Sequence, residues 1–235
     1  MAYERYSRHV LVVGAEGQKK LRELTVLVAG VGGLGCFEAY LLACLGVGKL
    51  VLVDDDTISL SDLNRQVLYT PSDIGQPKVE VAARRLKEFN PDVDVKPVKL
   101  RLSRENILKV LDEADIVIDG LDNWETRMLV DEAAYRLGIP YIHAGVQSLY
   151  GQVYLAIPGK TPCLRCIMPE RVGGQRAVIP AIAPMVSLVA SIAVNELVKL
   201  VTGVGRPALG ELIVVDGYTL GVEKIKVKAR PNCTC

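Results

Sequence analysis

Apolar and polar positions along the chain switch repeatedly between two periods. Val26-Leu27-Val28-Ala29-Gly30 is a short, unbroken aliphatic run closed by glycine, which marks a strand buried on both faces. Helix-compatible residues follow over 34–45 until Gly46 and Gly48 stop them. Lys49-Leu50-Val51-Leu52-Val53-Asp54 is a second strand, and the strand, helix and strand together take up about thirty residues, the size of one such unit. The pattern then predicts a helix over 77–89, with Pro77 at a first helical position, and a strand over 93–98. A helix over 104–111, a strand over 115–119, a helix over 124–137 and a strand over 140–144 complete the series. Strands alternating with helices imply a Rossmann-like, doubly wound α/β fold with a mostly parallel sheet.

Beyond Gly151 the pattern changes. Residues 152–157 read as a strand leading into a cysteine-bearing loop, 182–201 as one long helix, and 211–215 and 222–227 as strands that pair antiparallel at the sheet edge. The most apolar stretch, 177–201, is interrupted by Pro180, Pro184, Asn195, Glu196 and Lys199, and its longest run free of charged and strongly polar groups falls short of the ~20 residues a bilayer crossing needs. It predicts a buried helix, which a second subunit could share. No low-complexity linker or repeat divides the chain. The expectation is one domain over 1–235, with an N-terminal helical segment (1–24), a Rossmann core (25–150) and a C-terminal elaboration (151–235).

Composition changes this picture little. The chain has 235 residues, 28 Lys plus Arg against 27 Asp plus Glu, so no global field recruits nucleic acid or an anionic membrane. Met1-Ala2-Tyr3-Glu4-Arg5-Tyr6 lacks the basic end and apolar run of a secretory signal, and a cytoplasmic location is expected. Six cysteines in such a protein predict free thiols or metal ligands rather than a disulfide framework.

Gly30-Val31-Gly32-Gly33-Leu34-Gly35 joins a predicted strand to a predicted helix, and Asp54 closes the next strand. Glycines there let the backbone turn tightly, and free N–H groups at the helix start favour phosphate oxygens. Asp54 is placed to accept ribose hydroxyls. The turn by itself suits a dinucleotide or ATP, and a tight turn without a ligand is the plain structural alternative.

The run from Asp54 through Asp55, Asp56, Ser61, Asp62, Leu63, Asn64, Arg65 and Gln66 resembles the signature of the ubiquitin-activating superfamily, the ThiF/MoeB/HesA group. Within it the MoeB and ThiF adenylyltransferases of molybdopterin and thiamine synthesis are most similar. Gly75-Gln76-Pro77-Lys78, Asp122-Asn123 and Arg5-Tyr6-Ser7-Arg8 match further motifs, so the resemblance covers nearly the whole chain. It implies ATP-dependent adenylation of the C-terminal glycine of a ubiquitin-like sulfur-carrier protein ending in Gly-Gly, with release of pyrophosphate. The glycine turn (Gly30, Gly32, Gly33, Leu34), Asp54, Asp56 and Ser61 would hold the nucleotide. So would Asn64, Arg65, Gln66, Lys78, Leu121 and Asn123, while Asp122 would hold Mg2+. Arg8 would reach the active site of the other subunit of a homodimer. A lysine in the first turn of a helix opposes the helix dipole, which supports a phosphate role for Lys78. Where the family usually has Ser-Asn-Leu, this chain has Ser61-Asp62-Leu63. An acceptor-only carboxylate near a triphosphate is unfavourable unless it turns away or meets the metal.

A carboxylate nucleophile is already ionised at neutral pH, so this chemistry requires no general base, and His9 and His143 are expected to be structural. Arg65, Lys78, Arg8 of the other subunit and Mg2+ on Asp122 would supply the charge that stabilises the phosphoryl oxygens. Cys163-Leu164-Arg165-Cys166 has the spacing of a zinc half-site, and Cys233-Thr234-Cys235 would complete four thiolates around structural Zn2+. Related enzymes usually have two residues in the second gap, and a redox pair or free thiols is the other reading. Cys36 and Cys44 read as buried hydrophobes. Residues 171–180 lack the further cysteine many relatives carry for thioester or persulfide chemistry, so any sulfur would come from a separate donor. A nicotinamide-dependent oxidoreductase and a non-catalytic nucleotide-binding scaffold are the alternatives.

Overall fold

Val26, Leu27, Val28 and Ala29 are all fully buried, so the strand they form, β1 (Thr25–Ala29), lies inside a sheet covered on both sides. The computed structural model describes residues 4–168, 179–231 and 233. In it β1 pairs in parallel with β2 (Lys49–Asp54) and with β4 (Ile116–Asp119). Further parallel strands flank these, β3 (Asp94–Lys99) beside β2 and β5 (Tyr141–Gln147) beside β4. The direction then reverses: β6 (Tyr150–Ala156), β7 (Glu211–Asp216) and β8 (Gly221–Lys226) follow as antiparallel neighbours in the order β3-β2-β1-β4-β5-β6-β7-β8.

The antiparallel portion therefore begins one strand earlier than the pattern predicts. Ser148 and Leu149 join β5 to β6 as a two-residue hairpin turn, with Ser148 in the left-handed region at φ 56°. That conformation usually calls on glycine or asparagine, so the turn carries no sequence signal.

Side chains alternate between the two faces of each strand. Val26, Val28, Leu50, Leu52 and Ile118 pack with helices α2 (Gly33–Leu45), α3 (Lys78–Phe89) and α6 (Ala183–Thr202). Leu27, Ala29, Val51, Val53 and Val117 face α4 (Ile107–Leu111) and α5 (Trp124–Leu137). An N-terminal helix, α1 (Ser7–Glu23), is broken at Gly14 (φ 73°, ψ 169°) and packs on α6. The helix α4 is shorter than the predicted 104–111 because Asn106 closes a turn ahead of it. Its side chain accepts the Ser103 N–H at 2.9 Å and donates to the Arg101 carbonyl at 2.9 Å.

By length and composition α6 could cross a membrane. Here Met185, Val186, Val189, Ala190, Ala193, Val194 and Leu197 are buried, and the helix packs on α2, β5 and β6.

Candidate functional site

The ends of β1, β2 and β4 converge where the strand order changes direction, the usual place for a ligand crevice in an open α/β sheet. Two stretches of bare backbone cross here. A Cβ on Gly35 would lie 1.9 Å from the Gly30 carbonyl oxygen, and one on Gly120, just after β4, 2.5 Å from the same atom. This crossing seats the start of α2, whose first N–H groups have no acceptor within the helix and whose first turn carries no acid. Asp54 braces the turn: its carboxylate accepts the Val31 N–H at 2.7 Å and the Asp56 N–H at 2.9 Å. Burial raises its pKa against those hydrogen bonds.

Residues 55–77 leave the sheet and return to it. Ile58 N–H donates to the Gln76 carbonyl at 3.0 Å, Gly75 N–H to Ile58 at 2.8 Å, and Lys78 N–H to Asp56 at 3.0 Å, so the excursion closes at the first residue of α3. Tyr69 ties it to the glycine turn by donating to the Val31 carbonyl at 2.8 Å. Inside it, Leu60–Asp62 and Pro71–Asp73 are two 3-10 turns with one design. Ser59 and Thr70 cap them, and the carboxylates of Asp62 and Asp73 reach back to the capping N–H groups at 2.9 Å each, a reciprocal capping box. Asp62 thus bonds its own backbone while remaining in the wall of the crevice.

Two cations meet above the turn. The Lys78 side chain is only 7% exposed, with Nζ 3.1 Å from Asp56 Oδ2 and 3.9 Å from Asp62 Oδ2. Burial works against its charge, but Asp54, Asp56 and Asp62 outweigh that and raise its pKa. Arg65 donates through Nη1 to the Ser61 carbonyl at 2.8 Å and to Asn64 Oδ1 at 3.0 Å, and its Nη2 lies 3.8 Å from Asp62.

The opposite wall follows β4. Asp119 and Arg127 hold the backbone on both sides of Leu121. Leu121 N–H donates to Asp119 Oδ1 at 2.8 Å, and Arg127 donates to the Leu121 and Ala144 carbonyls. Arg127 Nε lies 3.1 Å from Asp119 Oδ2, as an ion pair rather than an aligned hydrogen bond. Asn123 caps α5 by accepting the Thr126 N–H at 2.9 Å, while the neighbouring Asp122 is exposed.

Between the walls is a cleft of about 250 Å³. Gly30, Gly32, Gly33, Asp54, Asp56, Arg65, Gln66, Lys78, Leu121, Asp122 and Asn123 line it, as the sequence predicts. Leu34 and Ser61 do not line it: Leu34 is in the core, and the exposed Ser61 is hydroxyl-bonded to Ser59 at 2.9 Å. Asn64 reaches the cleft through Arg65. Arg8 is exposed on α1 and does not line the cleft of its own chain. Asp55 and Asp62 line it as well, and the structure adds, among others, Arg101, Leu102 and Gly120. The signal of these last three is position alone, in the loops after parallel strands.

His143 is fully buried. Its Nδ1 lies 2.7 Å from Asp119 Oδ2, its Nε2 2.9 Å from Gln152 Nε2, and burial lowers its pKa, outweighing Asp119. It is a neutral part of the Asp119 network. His9 bonds Gln18 at 2.5 Å. Neither contact offers a base to the cleft.

At the other end of the sheet, Cys163, Cys166 and Cys233 gather with all sulfurs within 4.8 Å of one another. Cys235, the expected fourth ligand, and residues 171–178 lie outside the described residues. Clustered cysteine sulfurs suit zinc, and an exposed carboxylate at Asp122 suits a hard divalent cation. Cys36 is fully buried and Cys44 partly so, and burial pushes the Cys36 thiol up to about 12.

Known proteins resemble this chain over nearly its whole length. The ThiF family model matches residues 6–235. The chain is 36% identical over 238 residues to the SAMP-activating enzyme E1 of Haloferax volcanii, which covers 98% of this chain and 87% of that protein. It is 36% identical over 247 residues to the sulfur carrier protein adenylyltransferase of Thermus thermophilus, covering 98% and 89%. The crystal structure of E. coli MccB with ATP superposes with a TM-score of 0.87 at 28% identity, covering 98% of this chain and 73% of that one.

Proposed function

This chain belongs to the ThiF family, and from that premise we propose that it is an adenylyltransferase that activates the C-terminal carboxylate of a ubiquitin-like sulfur carrier ending in Gly-Gly. The observation that carries this reading is the placement of Arg65 and Lys78 over the glycine turn, facing Asp122 across one cleft. ATP would lie with its phosphates toward the N–H groups of α2 and its ribose at Asp54. That a similar fold, MccB, has been crystallised with ATP supports the same assignment. The relatives above are named as an adenylyltransferase and an activating enzyme, which speaks against the nicotinamide-dependent alternative.

In the reaction a carboxylate oxygen of the carrier bonds to the α-phosphorus while the bond to the bridging oxygen breaks and pyrophosphate departs. No proton moves, consistent with neither histidine lining the cleft. Arg65 and Lys78 take up negative charge on the phosphoryl oxygens. A divalent cation held by Asp122 would supply further electrostatic stabilisation. We assign Zn2+ to the cysteine cluster as a structural metal. We also read residues 1–235 as one catalytic domain that works as a homodimer, with Arg8 completing the partner's cleft and sulfur arriving from a separate donor.

ATP–pyrophosphate exchange tests this. A carrier with an intact terminal glycine should support exchange, and one lacking that residue should not. Arg65→Ala and Lys78→Ala should each lower the rate about 10²- to 10³-fold, on the scale of a lost oxyanion donor. Exchange that persists without the glycine would refute the proposed substrate.

A further inference from the structure

The least expected group in the cleft wall is the carboxylate of Asp62. It is buried, yet it lies 3.8 Å from Arg65 Nη2 and 3.9 Å from Lys78 Nζ. Its remaining contacts are local. Oδ2 accepts the N–H and the hydroxyl of Ser59, each at 2.9 Å, and Oδ1 accepts Gln66 Nε2 at 2.8 Å.

None of these local bonds needs a negative charge. An amide at this position could keep one oxygen for Ser59 and turn an N–H toward Gln66, whose own Oε1 is buried without a partner. The turn requires an acceptor; the charge is directed at the two cations. Among the described residues the cleft is lined by five carboxylates and three cations, so acids outnumber cations in a pocket read as taking a polyanion.

We propose that Asp62 is a positioning residue that sets the charge of the phosphate site. It draws Arg65 and Lys78 toward itself in competition with the phosphates, so that the cleft discriminates against ATP that arrives without a divalent cation. This rests on the reading of the cleft as an ATP site. A carboxylate so close to two phosphate-binding cations repels an uncompensated triphosphate, whereas a cation bound to the nucleotide offsets much of that repulsion.

Asp62→Asn tests the idea by calorimetric binding of ATP, once with excess Mg2+ and once with EDTA. D62N is expected to bind metal-free ATP about tenfold more tightly than the wild type and Mg–ATP less than about threefold more tightly, a ratio set by Coulomb repulsion. Ser59→Ala, which weakens the turn but keeps the charge, should leave that ratio as in the wild type. D62S, smaller but still an acceptor, is read in the same way should D62N fail to fold. Equal gains with and without Mg2+, no gain at all, or the same change in S59A would overturn the proposal while the ATP reading stands. If the wild type binds ATP in neither condition, the reading of the cleft falls and takes this inference with it.

Discussion

Glu38 sits on α2, behind the cleft, with both carboxylate oxygens buried and without a hydrogen-bond partner. Burial, and then the charge of Asp119, raise its pKa well above the usual 4.5, and Arg127 opposes them only in part. The sign follows directly. The folded chain holds a proton that the unfolded chain releases above about pH 4.5, so stability falls as pH rises from there through the folded-state pKa. Glu38→Gln removes the titration and should stabilise the protein at neutral pH by up to about 3 kcal/mol, the linkage cost of about 1.4 kcal/mol for each pH unit above the unfolded-state value. Urea unfolding at pH 5 and pH 8 checks it, and identical pH slopes in the two proteins would count against it. Legibility at this scale is uneven. Arg65, Lys78 and Asp122 could be read because they occur in an ordered series of motifs. Arg101 could not, since one arginine in the polar loop after a strand looks like any solvated side chain. Asp62 was visible as a departure, but its capping bonds depend on how the chain folds back between Asp54 and Lys78.

At the level of elements, most strands and helices follow from period and punctuation alone. β2 and α5 have the predicted limits because Gly48 and Asn123 mark their starts, and Asp54 and Gly138 their ends. What the pattern does not carry is contact between elements. The glycine turn was legible as a turn, but its packing against Gly120 was not, because Gly120 is remote in sequence and belongs to no repeating pattern. That packing makes a firm prediction. Gly120→Ala would push a methyl group to within 2.5 Å of the Gly30 carbonyl oxygen and 2.7 Å of the Gly35 nitrogen. The strand and helix must separate to admit it, at roughly 3 kcal/mol, the upper end for overpacking. Gly138→Ala is a control, because nothing lies within 4 Å of its Cβ position and the only strain comes from its φ of 73°. Thermal unfolding should show a larger drop for Gly120→Ala. Equal drops would mean that the backbone crossing admits a methyl group without separating the strand and helix.

For the whole molecule, the two ends of the sheet are joined through α5. Its start carries Asn123, and further along it Asp131 accepts the Leu164 N–H with both oxygens at 3.0 and 3.1 Å, anchoring the cysteine loop. Burial pushes Asp131 up to about 6. If zinc closes the thiol cluster, chelation should release the C-terminal residues and β8 first, leaving the parallel strands protected. Hydrogen exchange after treatment with a strong chelator would show faster exchange confined to β8 and the cysteine loop. Uniform loss of protection would instead place the metal's stabilisation in the core, and no change would argue against a structural metal.

The assembly supplies the last test, because one residue of the proposed reaction lies away from the cleft of its own chain. Arg8 is exposed on α1, on the same helix as Leu11 and Val12, which are 85% and 67% exposed. If α1 packs against a second copy, Arg8 acts there, and the two halves of one active site come from different chains. Arg8→Ala then lacks the donated cation but keeps a sound cleft, whereas Arg65→Ala has a damaged cleft but a sound Arg8. Each variant should be inactive alone. Mixed in equal amounts and allowed to exchange subunits, half of the dimers are hybrid, and one site in each hybrid is intact, so activity should return to about a quarter of the wild-type value. Recovery requires that Arg8 work across the interface. If pyrophosphate exchange in the mixture stays at the level of the separate variants although hybrids form, Arg8 does not act on the partner's cleft.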